Sequence, residues 1–242
     1  MYMYDIHMHI IPGVDDGSWD MEMSRRLLFM AYEQGIRKIL ATPHSSAFRD
    51  NTVWEVEKRL SQLKEMTEKF LPDLQLYLGC EIRCGRREMD DILNELEWGR
   101  IPSLNGTRYV LAEFSTFVET EEIMECVQRF KKKRWRPVLA HVERYRELLR
   151  NNSDIQKLQG IGCLFQINVY SVFDEENEEI KRNAIKLVKE KRVAFLGSDA
   201  HRTIHRPPSV KYGLQFLYDY FEKNYIDQIA FGNAEKLLGL ME

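Results

Sequence analysis

Short apolar runs alternate with amphipathic segments along the whole 242-residue chain, and this alternation constrains the fold more than any other feature. Seven runs have the length and composition of β strands. The first strand begins at 3–4, and the others cover 38–42, 74–79, 109–112, 137–140, 163–167 and 193–197. Helical periodicity marks the intervening segments 20–34, 53–70, 87–97, 120–133 and 175–191, and two more near 209–223 and 233–240. Because parallel strands need crossover connections, this order predicts βα units around a parallel sheet.

The expected architecture is a single α/β domain spanning residues 1–242, since no linker or shift in composition interrupts the chain. Seven strands are awkward for an open sheet that has no Gly-rich phosphate loop, so a barrel of seven βα units is favoured. The length also fits an α/β barrel, which commonly runs to about 200–250 residues. In such barrels the functional residues lie at the carboxyl ends of the strands.

Local signals place several helix boundaries. Ser18 or Asp20 can cap the first helix, and Gly35 ends it. The acidic cluster 174–176 is expected to open the helix over 175–191, where negative charge complements the helix dipole. Asn105-Gly106 predicts a turn.

Composition excludes some classes of protein. The net charge of −3 gives no argument for binding nucleic acid or a membrane surface. Four cysteines with no C-x-x-C pair fit a reducing compartment. No signal peptide is visible, and no apolar run approaches the ~20 residues of a membrane helix. We therefore expect a cytoplasmic protein without membrane insertion.

The opening stretch places two histidines two residues apart, which in an extended strand point to the same side. His7 and His9 can therefore hold one metal ion between them. Pro12-Gly13 then turns the chain, and Asp15-Asp16 brings carboxylates back toward the same place. Imidazole and carboxylate together suit Mn, Fe or Zn better than Ca or Mg.

The ends of the other predicted strands carry the same residue types. Nine candidate metal ligands fall there or in the first loop: His7, His9, Asp16, His44, Glu81, Glu113, His141, Asp199 and His201. A single strand-end histidine often just hydrogen-bonds a loop, but of the six histidines only His205 lies elsewhere. Nine ligands exceed one zinc site, so two or three ions are expected. Such ions suit phosphoester hydrolysis.

Six motifs carry a family resemblance: H-x-H-x-x-P-G-x-D-D-G from His7, then 41–44, 79–82, 112–115, 140–145 and 197–201. They resemble the PHP superfamily and, within it, the bacterial manganese-dependent protein-tyrosine phosphatases of capsule and exopolysaccharide operons. The resemblance covers essentially the whole chain. It implies a distorted (β/α)7 barrel with two or three Mn²⁺ ions, for which Fe, Zn, Co or Mg can substitute. It also implies that the substrate is the tyrosine-rich tail of a bacterial tyrosine kinase.

The resemblance carries the same nine metal ligands onto this chain, and each position holds the expected residue type. It further implies that Arg144 and Arg206 bind the substrate phosphate, a role that suits a guanidinium. The alternative for each arginine is a surface ion pair. Asp199 or His201 is a candidate to protonate the departing phenolate, and the sequence does not choose between them.

A second route to the same activity starts from Cys80 and Arg86, which have the C-x5-R spacing of cysteine-based tyrosine phosphatases. This hypothesis is disfavoured because the loop has one glycine and because Gly79 stands where that family has histidine. A zinc site at Cys80 and Cys84 is equally disfavoured, since there is no second pair.

The run 129–136, R-F-K-K-K-R-W-R, is the one dense basic segment. Nucleic acid could use its charge together with Phe130 and Trp135 for stacking. The favoured interpretation is the solvated end of a helix, where cations suit the dipole. Docking of an acidic or phosphorylated tail on 131–133 is a third hypothesis.

Three other functions stay open beside the phosphotyrosine phosphatase. The nearest is a small-molecule phosphatase of the histidinol-phosphate type, and the next is a PHP-type phosphodiesterase or nuclease. The third is a binding module with a degenerate site, which the nine intact positions argue against. The sequence does not identify the partner kinase or the oligomeric state.

Overall fold

The structure is a computed structural model, and it describes residues 1–239. Residue 240 of the predicted last helix, and the last three residues of the predicted domain, lie outside the described residues. Every strand pairing is parallel. The strands are β1 (Met3–Met8), β2 (Ile36–Ala41), β3 (Gln75–Leu78), β4 (Glu81–Arg83), β5 (Tyr109–Glu113), β6 (Arg136–Leu139), β7 (Leu164–Asn168) and β8 (Phe195–Gly197).

The strands form two sheets, β1-β2-β3 and β4-β5-β6-β7-β8, which join at both edges. Beyond β8, Ala200 bridges Met8, and the Asp199 N–H donates to the His7 carbonyl at 2.8 Å. Beyond β2, His44 bridges Glu81. The ring closes into the predicted distorted (β/α)7 barrel, because β3 and β4 occupy successive parts of one strand position.

The strand predicted over 74–79 is β3, and the sequence did not predict the separate short strand β4 that follows it. β3 pairs with β2, and β4 pairs with β5. Gly79 lies between them, where a Cβ would approach Leu104 Cδ2 to 2.8 Å and Thr42 Cγ2 to 3.1 Å. Close packing at this bend therefore favours glycine. Glu81 opens β4 instead of following the predicted third strand.

Helices cover the connections between the strands. They are α1 (Met21–Glu33), α2 (Ala47–Asp50), α3 (Val53–Phe70), α4 (Met89–Glu97), α5 (Thr120–Lys132), α6 (Arg146–Arg150), α7 (Asn152–Gly160), α8 (Glu178–Lys189), α9 (Lys211–Tyr220), α10 (Lys223–Asp227) and α11 (Asn233–Leu238). Asp20, not Ser18, caps α1 by accepting from the Met23 N–H at 2.7 Å. No helix within residues 1–239 is both long enough and apolar enough to cross a bilayer.

The start of α8 corrects the sequence prediction. The helix begins at Glu178, with the Asn177 side chain as its cap. Asp174 accepts hydrogen bonds from the N–H groups of Glu176 and Asn177, so the acidic cluster 174–176 forms a turn before the helix. Local side-chain bonding of this kind competes with helix formation.

Buried apolar side chains fill the space between the strands and the helices. A large cluster includes Ile36, Val110 and Phe165, and a smaller one includes Ile6, Leu111 and Val138. Buried histidines and carboxylates, by contrast, gather near the carboxyl ends of the strands. The apolar core therefore holds the strands that present these polar groups.

The amino-terminal cap of α3 gives a stability prediction. Thr52 Oγ1 accepts from the Glu55 N–H at 3.3 Å, and Glu55 Oε2 accepts from the Thr52 N–H at 2.7 Å, a reciprocal capping box. Thr52→Ala should lower the free energy of unfolding by about 1 kcal/mol. Urea denaturation measures this change. Thr120→Ala is the control, because that hydroxyl makes no hydrogen bond within the described chain; equal stability of the two variants would contradict the prediction.

Candidate metal centre

The barrel brings all nine predicted ligands to one mouth. Each has a side-chain nitrogen or oxygen within 4.0 Å of another member of the set. They come from the ends of β1, β5 and the segments after β2, β6 and β8, from the first residue of β4, and from the loop after β1. His205, which the sequence set apart, is not among these contacts.

Glu81 lies at the centre of the cluster and is 1% exposed. Its Oε1 is 3.1 Å from His7 Nε2 and 3.2 Å from His141 Nε2. Its Oε2 is 3.3 Å from His9 Nε2 and 2.9 Å from His44 Nδ1. One carboxylate thus faces four imidazoles, which is the geometry of a bridging ligand.

The ligand atoms form three overlapping groups, each within 4.8 Å of one another: His7–His9–Glu81, His44–Glu81–Glu113 and His9–Asp16–His44–His201. Asp199 Oδ1 extends the first group, at 3.5 Å from His7 Nε2. His141 Nε2 extends the second, at 3.6 Å from Glu113 Oε1. This arrangement could hold two or three ions, with the Glu81 carboxylate common to two of the groups.

Two buried oxygens test whether this arrangement fits a metal. Within the described residues 1–239, Asp199 Oδ1 has no hydrogen-bond donor, and Glu81 Oε2 accepts no well-aligned hydrogen bond although His44 is near. A buried acceptor without a partner is costly. Both oxygens face imidazole nitrogens, and this mixed donor set suits first-row divalent ions. The residues therefore fit the metals that the sequence predicted.

The electrostatics of the site also favour cations. Burial alone would lower the pKa of His9, but the nearby carboxylates of Asp15 and Glu81 outweigh it and raise the pKa to about 10. Burial likewise opposes charge on His141, yet Glu113 and Glu81 raise its pKa to about 9. The carboxylates thus stabilise positive charge among them, which divalent ions can supply.

Asp15, which the ligand prediction omitted, contacts two of the candidate ligands. Its Oδ2 lies 2.8 Å from His9 Nδ1 and accepts from the His44 N–H at 3.1 Å. Burial would raise the pKa of Asp15, but the contact with His9 outweighs it and lowers the pKa to about 2. Metal-binding histidines usually donate their second nitrogen to such a carboxylate. In the sequence, the adjacent carboxylates Asp15 and Asp16 were the feature that could have indicated this contact.

Two amides on β7 were also missed. Gln166 Oε1 lies 3.2 Å from His7 Nδ1 and accepts from the His141 N–H at 2.8 Å. Gln166 Nε2 donates to Asn168 Oδ1, and Asn168 Nδ2 donates to Asp199 Oδ2 at 3.0 Å. This chain of hydrogen bonds orients ligands from three strands. The sequence of β7 gave one indication of this chain of hydrogen bonds, which is that Gln166 and Asn168 lie two residues apart.

The backbone is strained at the site. His141, Asp199 and Arg206 have φ values of 35°, 55° and 60°, in the left-handed region that residues other than Gly adopt uncommonly. Such conformations cost about 1–3 kcal/mol each and are concentrated at functional sites. Here they direct a ligand after β6, a ligand after β8 and an arginine toward one point.

Arg144 and Arg206 both contact Asp199 Oδ2, at 3.4 Å from Nη1 and 2.5 Å from Nη2 respectively. Arg206 Nη1 also lies 3.0 Å from His201 Nε2. Both arginines line a cavity of about 560 Å³ together with Glu81 and Glu113. Their ion pairs are therefore with the cluster itself, not with a separate surface partner.

The cysteine hypothesis gains no support from the geometry. Cys80 is 1% exposed, and burial, with the Glu81 and Asp15 charges, raises its thiol pKa well above the ordinary value. A thiolate is therefore disfavoured. Arg86, the other end of the spacing, pairs with Glu125 at 2.7 Å. No candidate metal group within residues 1–239 contains Cys80 or Cys84.

The basic run 129–136 lies at the end of α5 and beyond it. Lys133 pairs with Glu97 at 3.0 Å, and Arg129 pairs with Asp90. Phe130 and Trp135 are buried, so they offer no stacking surface to nucleic acid. The arrangement agrees with a solvated helix end.

A metal-affinity prediction follows from the contact between Asp15 and His9. Asp15→Asn keeps the shape of the side chain and removes its charge, so metal affinity should fall by about 10–100-fold. Titration of the metal-free protein with Mn²⁺ in a calorimeter measures this loss. Asp91→Asn, an exposed carboxylate on α4, is the control. An unchanged affinity would show that Asp15 does not support the site.

Comparison with known proteins agrees with this geometry. A family model described as "Capsular polysaccharide synthesis, CpsB/CapC" matches residues 3–239. Tyrosine-protein phosphatase CpsB of Streptococcus pneumoniae is 34% identical over 229 residues, 92% of this chain and 91% of that protein. Tyrosine-protein phosphatase YwqE of Bacillus subtilis (strain 168) is 32% identical over 241 residues, 98% and 91% of the two chains.

A solved structure gives the same result. It is described as one of the "unique metal-dependent tyrosine phosphatases" YwqE from Bacillus subtilis and CpsB from Streptococcus pneumoniae. It matches with a TM-score of 0.86 and 30% identity, covering 99% of this chain and 96% of that one. The match therefore covers nearly the whole chain, including the barrel that carries the nine candidate ligands. The chain belongs to the CpsB/CapC family of capsular polysaccharide synthesis.

Proposed function

We propose that this protein is a metal-dependent phosphatase that hydrolyses phosphotyrosine. The observation that carries the proposal is the convergence of nine imidazole and carboxylate ligands with two arginines at one cavity. The names of the relatives support the same reaction, since those at 32% and 34% identity are tyrosine-protein phosphatases. The nine intact ligand positions also argue against a degenerate binding module.

The proposed ligands are the nine predicted residues, with Glu81 shared between ions. We propose Mn²⁺ as the native metal, in two or three sites, with Fe, Zn, Co or Mg as possible substitutes. When bound, such ions polarise phosphoryl oxygens and lower the pKa of water. Asp15, Gln166 and Asn168 hold His7, His9 and Asp199 in position.

Arg144 and Arg206 bind the phosphoryl oxygens in this proposal. Both guanidinium groups lie beside the ligand cluster and face the cavity. A guanidinium keeps its charge and can donate two parallel hydrogen bonds to phosphate. Together they fix the orientation of the substrate and stabilise the charge that develops on its oxygens.

Asp199 and His201 serve as ligands in this proposal and not as proton donors. Burial opposes ionisation of Asp199, but His7 and Arg206 hold its pKa well below the usual range. Burial, with positive charge on His9 and Arg206, lowers the pKa of His201 to about 3. Both groups are thus unprotonated near neutral pH. A phenol with a pKa of about 10 is a good leaving group, so the reaction does not require a strong acid.

The substrate proposed is a phosphotyrosine in the tyrosine-rich tail of a bacterial tyrosine kinase that controls capsule or exopolysaccharide synthesis. A cavity of about 560 Å³ is within the usual range for small-ligand sites, so it can accept one side chain. An extended, flexible tail can deliver that side chain without a large interface. The alternative is a phosphomonoesterase of the histidinol-phosphate type.

The testing experiment is hydrolysis of a phosphotyrosine peptide with added Mn²⁺, with EDTA, and with Cys80→Ser in parallel. Activity should require metal and should survive the cysteine change. Activity that survives EDTA and is lost in Cys80→Ser would overturn the metal mechanism. Faster turnover of histidinol phosphate than of the peptide would favour the alternative substrate, and release of nucleotides from DNA would indicate a nuclease.

A further inference from the structure

Two further arginines, Arg49 and Arg83, line the same cavity as the candidate metal centre. Both side chains are exposed, and within residues 1–239 neither makes an ion pair or a side-chain hydrogen bond. Arg144 and Arg206, by contrast, are already held by Asp199. The cavity therefore presents two cations that the protein itself does not neutralise.

The strand geometry explains why Arg83 reaches the cavity. Arg83 and Glu81 are the last and first residues of β4, and residues two apart in a strand share one side. Arg83 is thus about 7 Å along the strand from the central carboxylate. It pairs in register with Glu113, and its N–H donates to Ser45 Oγ at 3.3 Å. The backbone that carries Arg83 is fixed to the site.

Arg49 is carried by α2, the short turn that follows His44. The Ala47 N–H donates to the His44 carbonyl at 2.9 Å, and Asn51 Nδ2 donates to the Ala47 carbonyl at 2.9 Å. Arg59 contacts Asn51 Oδ1 at 3.3 Å and so holds the turn from α3. Arg49 is therefore an exposed cation on a turn that hydrogen bonds hold in place, close to the candidate ligand His44.

The carboxylates of the cavity do not pair with these two arginines. Four arginines and four carboxylates line it, but no carboxylate oxygen of the described chain lies within 4.0 Å of a guanidinium nitrogen of Arg49 or Arg83. Both guanidiniums are therefore available to an anion. A guanidinium in this setting binds carboxylate or phosphate with comparable geometry.

We propose that Arg49 and Arg83 form a second anion subsite, which binds an anionic group flanking the phosphotyrosine that is hydrolysed. The proposal rests on the proposed function for the position of the phosphotyrosine. The two residues select peptides that carry a carboxylate or a second phosphate about two residues away, a spacing of about 7 Å in an extended chain. They do not contact the reacting phosphorus.

The test compares three peptides with the same central residue and with Ala, Glu or phosphoserine two residues to either side. Phosphotyrosine at the centre gives kcat/KM, and a non-hydrolysable phosphonomethyl-phenylalanine gives Kd by fluorescence polarisation. The metal-loaded wild type should bind both anionic peptides about tenfold more tightly than the Ala peptide. The ratio between Glu and phosphoserine identifies the preferred anion.

In the Arg49→Gln/Arg83→Gln double variant, the preference for anionic peptides should fall to near one. Arg182→Gln, at an exposed arginine on α8 that makes no ion pair within residues 1–239, should keep the wild-type preference and turnover. Equal binding of all three peptides by the wild type, or an unchanged preference in the double variant, would overturn the subsite. If the wild type bound the anionic peptides more tightly than the Ala peptide but did not hydrolyse phosphotyrosine, the subsite would be supported and only the proposed function would be overturned.

Discussion

Replacement of Glu81 by glutamine should lower kcat/KM for a phosphotyrosine peptide by at least about 10³-fold. The two carboxylate oxygens lie within 3.3 Å of four imidazoles. Glutamine has the same shape but no charge, and only one of its two terminal atoms can bind a metal. The change therefore weakens two of the three ligand groups at once, whereas loss of Glu113 affects only one.

Metal content, measured by mass spectrometry on the dialysed protein, should fall together with turnover in Glu81→Gln. Glu57→Gln, an exposed carboxylate on α3, is the matched control and should change neither quantity. Circular dichroism should show the same fold for both variants. A Glu81→Gln protein that retains full metal and near-wild-type turnover would remove Glu81 from the centre of the mechanism.

The fold was predictable where local signals and long-range packing agree. The helix over Val53–Phe70 was predicted to the residue, because the apolar positions repeat at helical spacing; the structure adds the Thr52 cap. The start of α8 was wrong by three residues, because Asp174 bonds to the backbone N–H groups after it. The periodicity does not reveal that competition. Three helices of four or five residues, α2, α6 and α10, were missed because too few residues carry the pattern, and the nine-residue α7 was also missed.

The candidate ligands were predictable for a topological reason. In a parallel barrel the carboxyl ends of all strands meet at one mouth, so histidines and acids there are neighbours whatever their separation in sequence. The supporting residues depend instead on register. Gln166 contacts both His7 and His141 only because β7, β6 and β1 align as they do. A glutamine in an apolar strand does not indicate such contacts by its residue type.

The short strand β4 was also missed. The predicted third strand ends at Gly79, but the chain continues into β4, which pairs with β5, whereas β3 pairs with β2. This break places Glu81 at the start of a strand and Arg83 two residues further along the same side. The distortion of the barrel thus has a consequence for function, since it joins a proposed ligand and a proposed anion-binding arginine on one short segment.

Replacement of Arg206 by lysine should reduce kcat/KM for a phosphotyrosine peptide by about 10²-fold. Its Nη2 contacts Asp199 while Nη1 contacts His201, so the guanidinium orients two ligands and faces the cavity. Lysine keeps the charge but cannot reproduce this planar fork. Arg144→Lys should have a smaller effect, because Arg144 makes one longer contact with Asp199 at 3.4 Å.

The amount of bound metal distinguishes the expected role of Arg206 from that of Glu81. Arg206→Lys should retain its metal, because the nine ligands are intact, while its affinity for inorganic phosphate as a competitive inhibitor falls. Arg182→Lys on α8 controls for the exchange of an exposed arginine. Wild-type turnover in Arg206→Lys would assign the arginine to an ion pair with Asp199 and leave phosphate binding to Arg144. Loss of metal in that variant would instead mean that Arg206 acts by holding Asp199 and His201 in place.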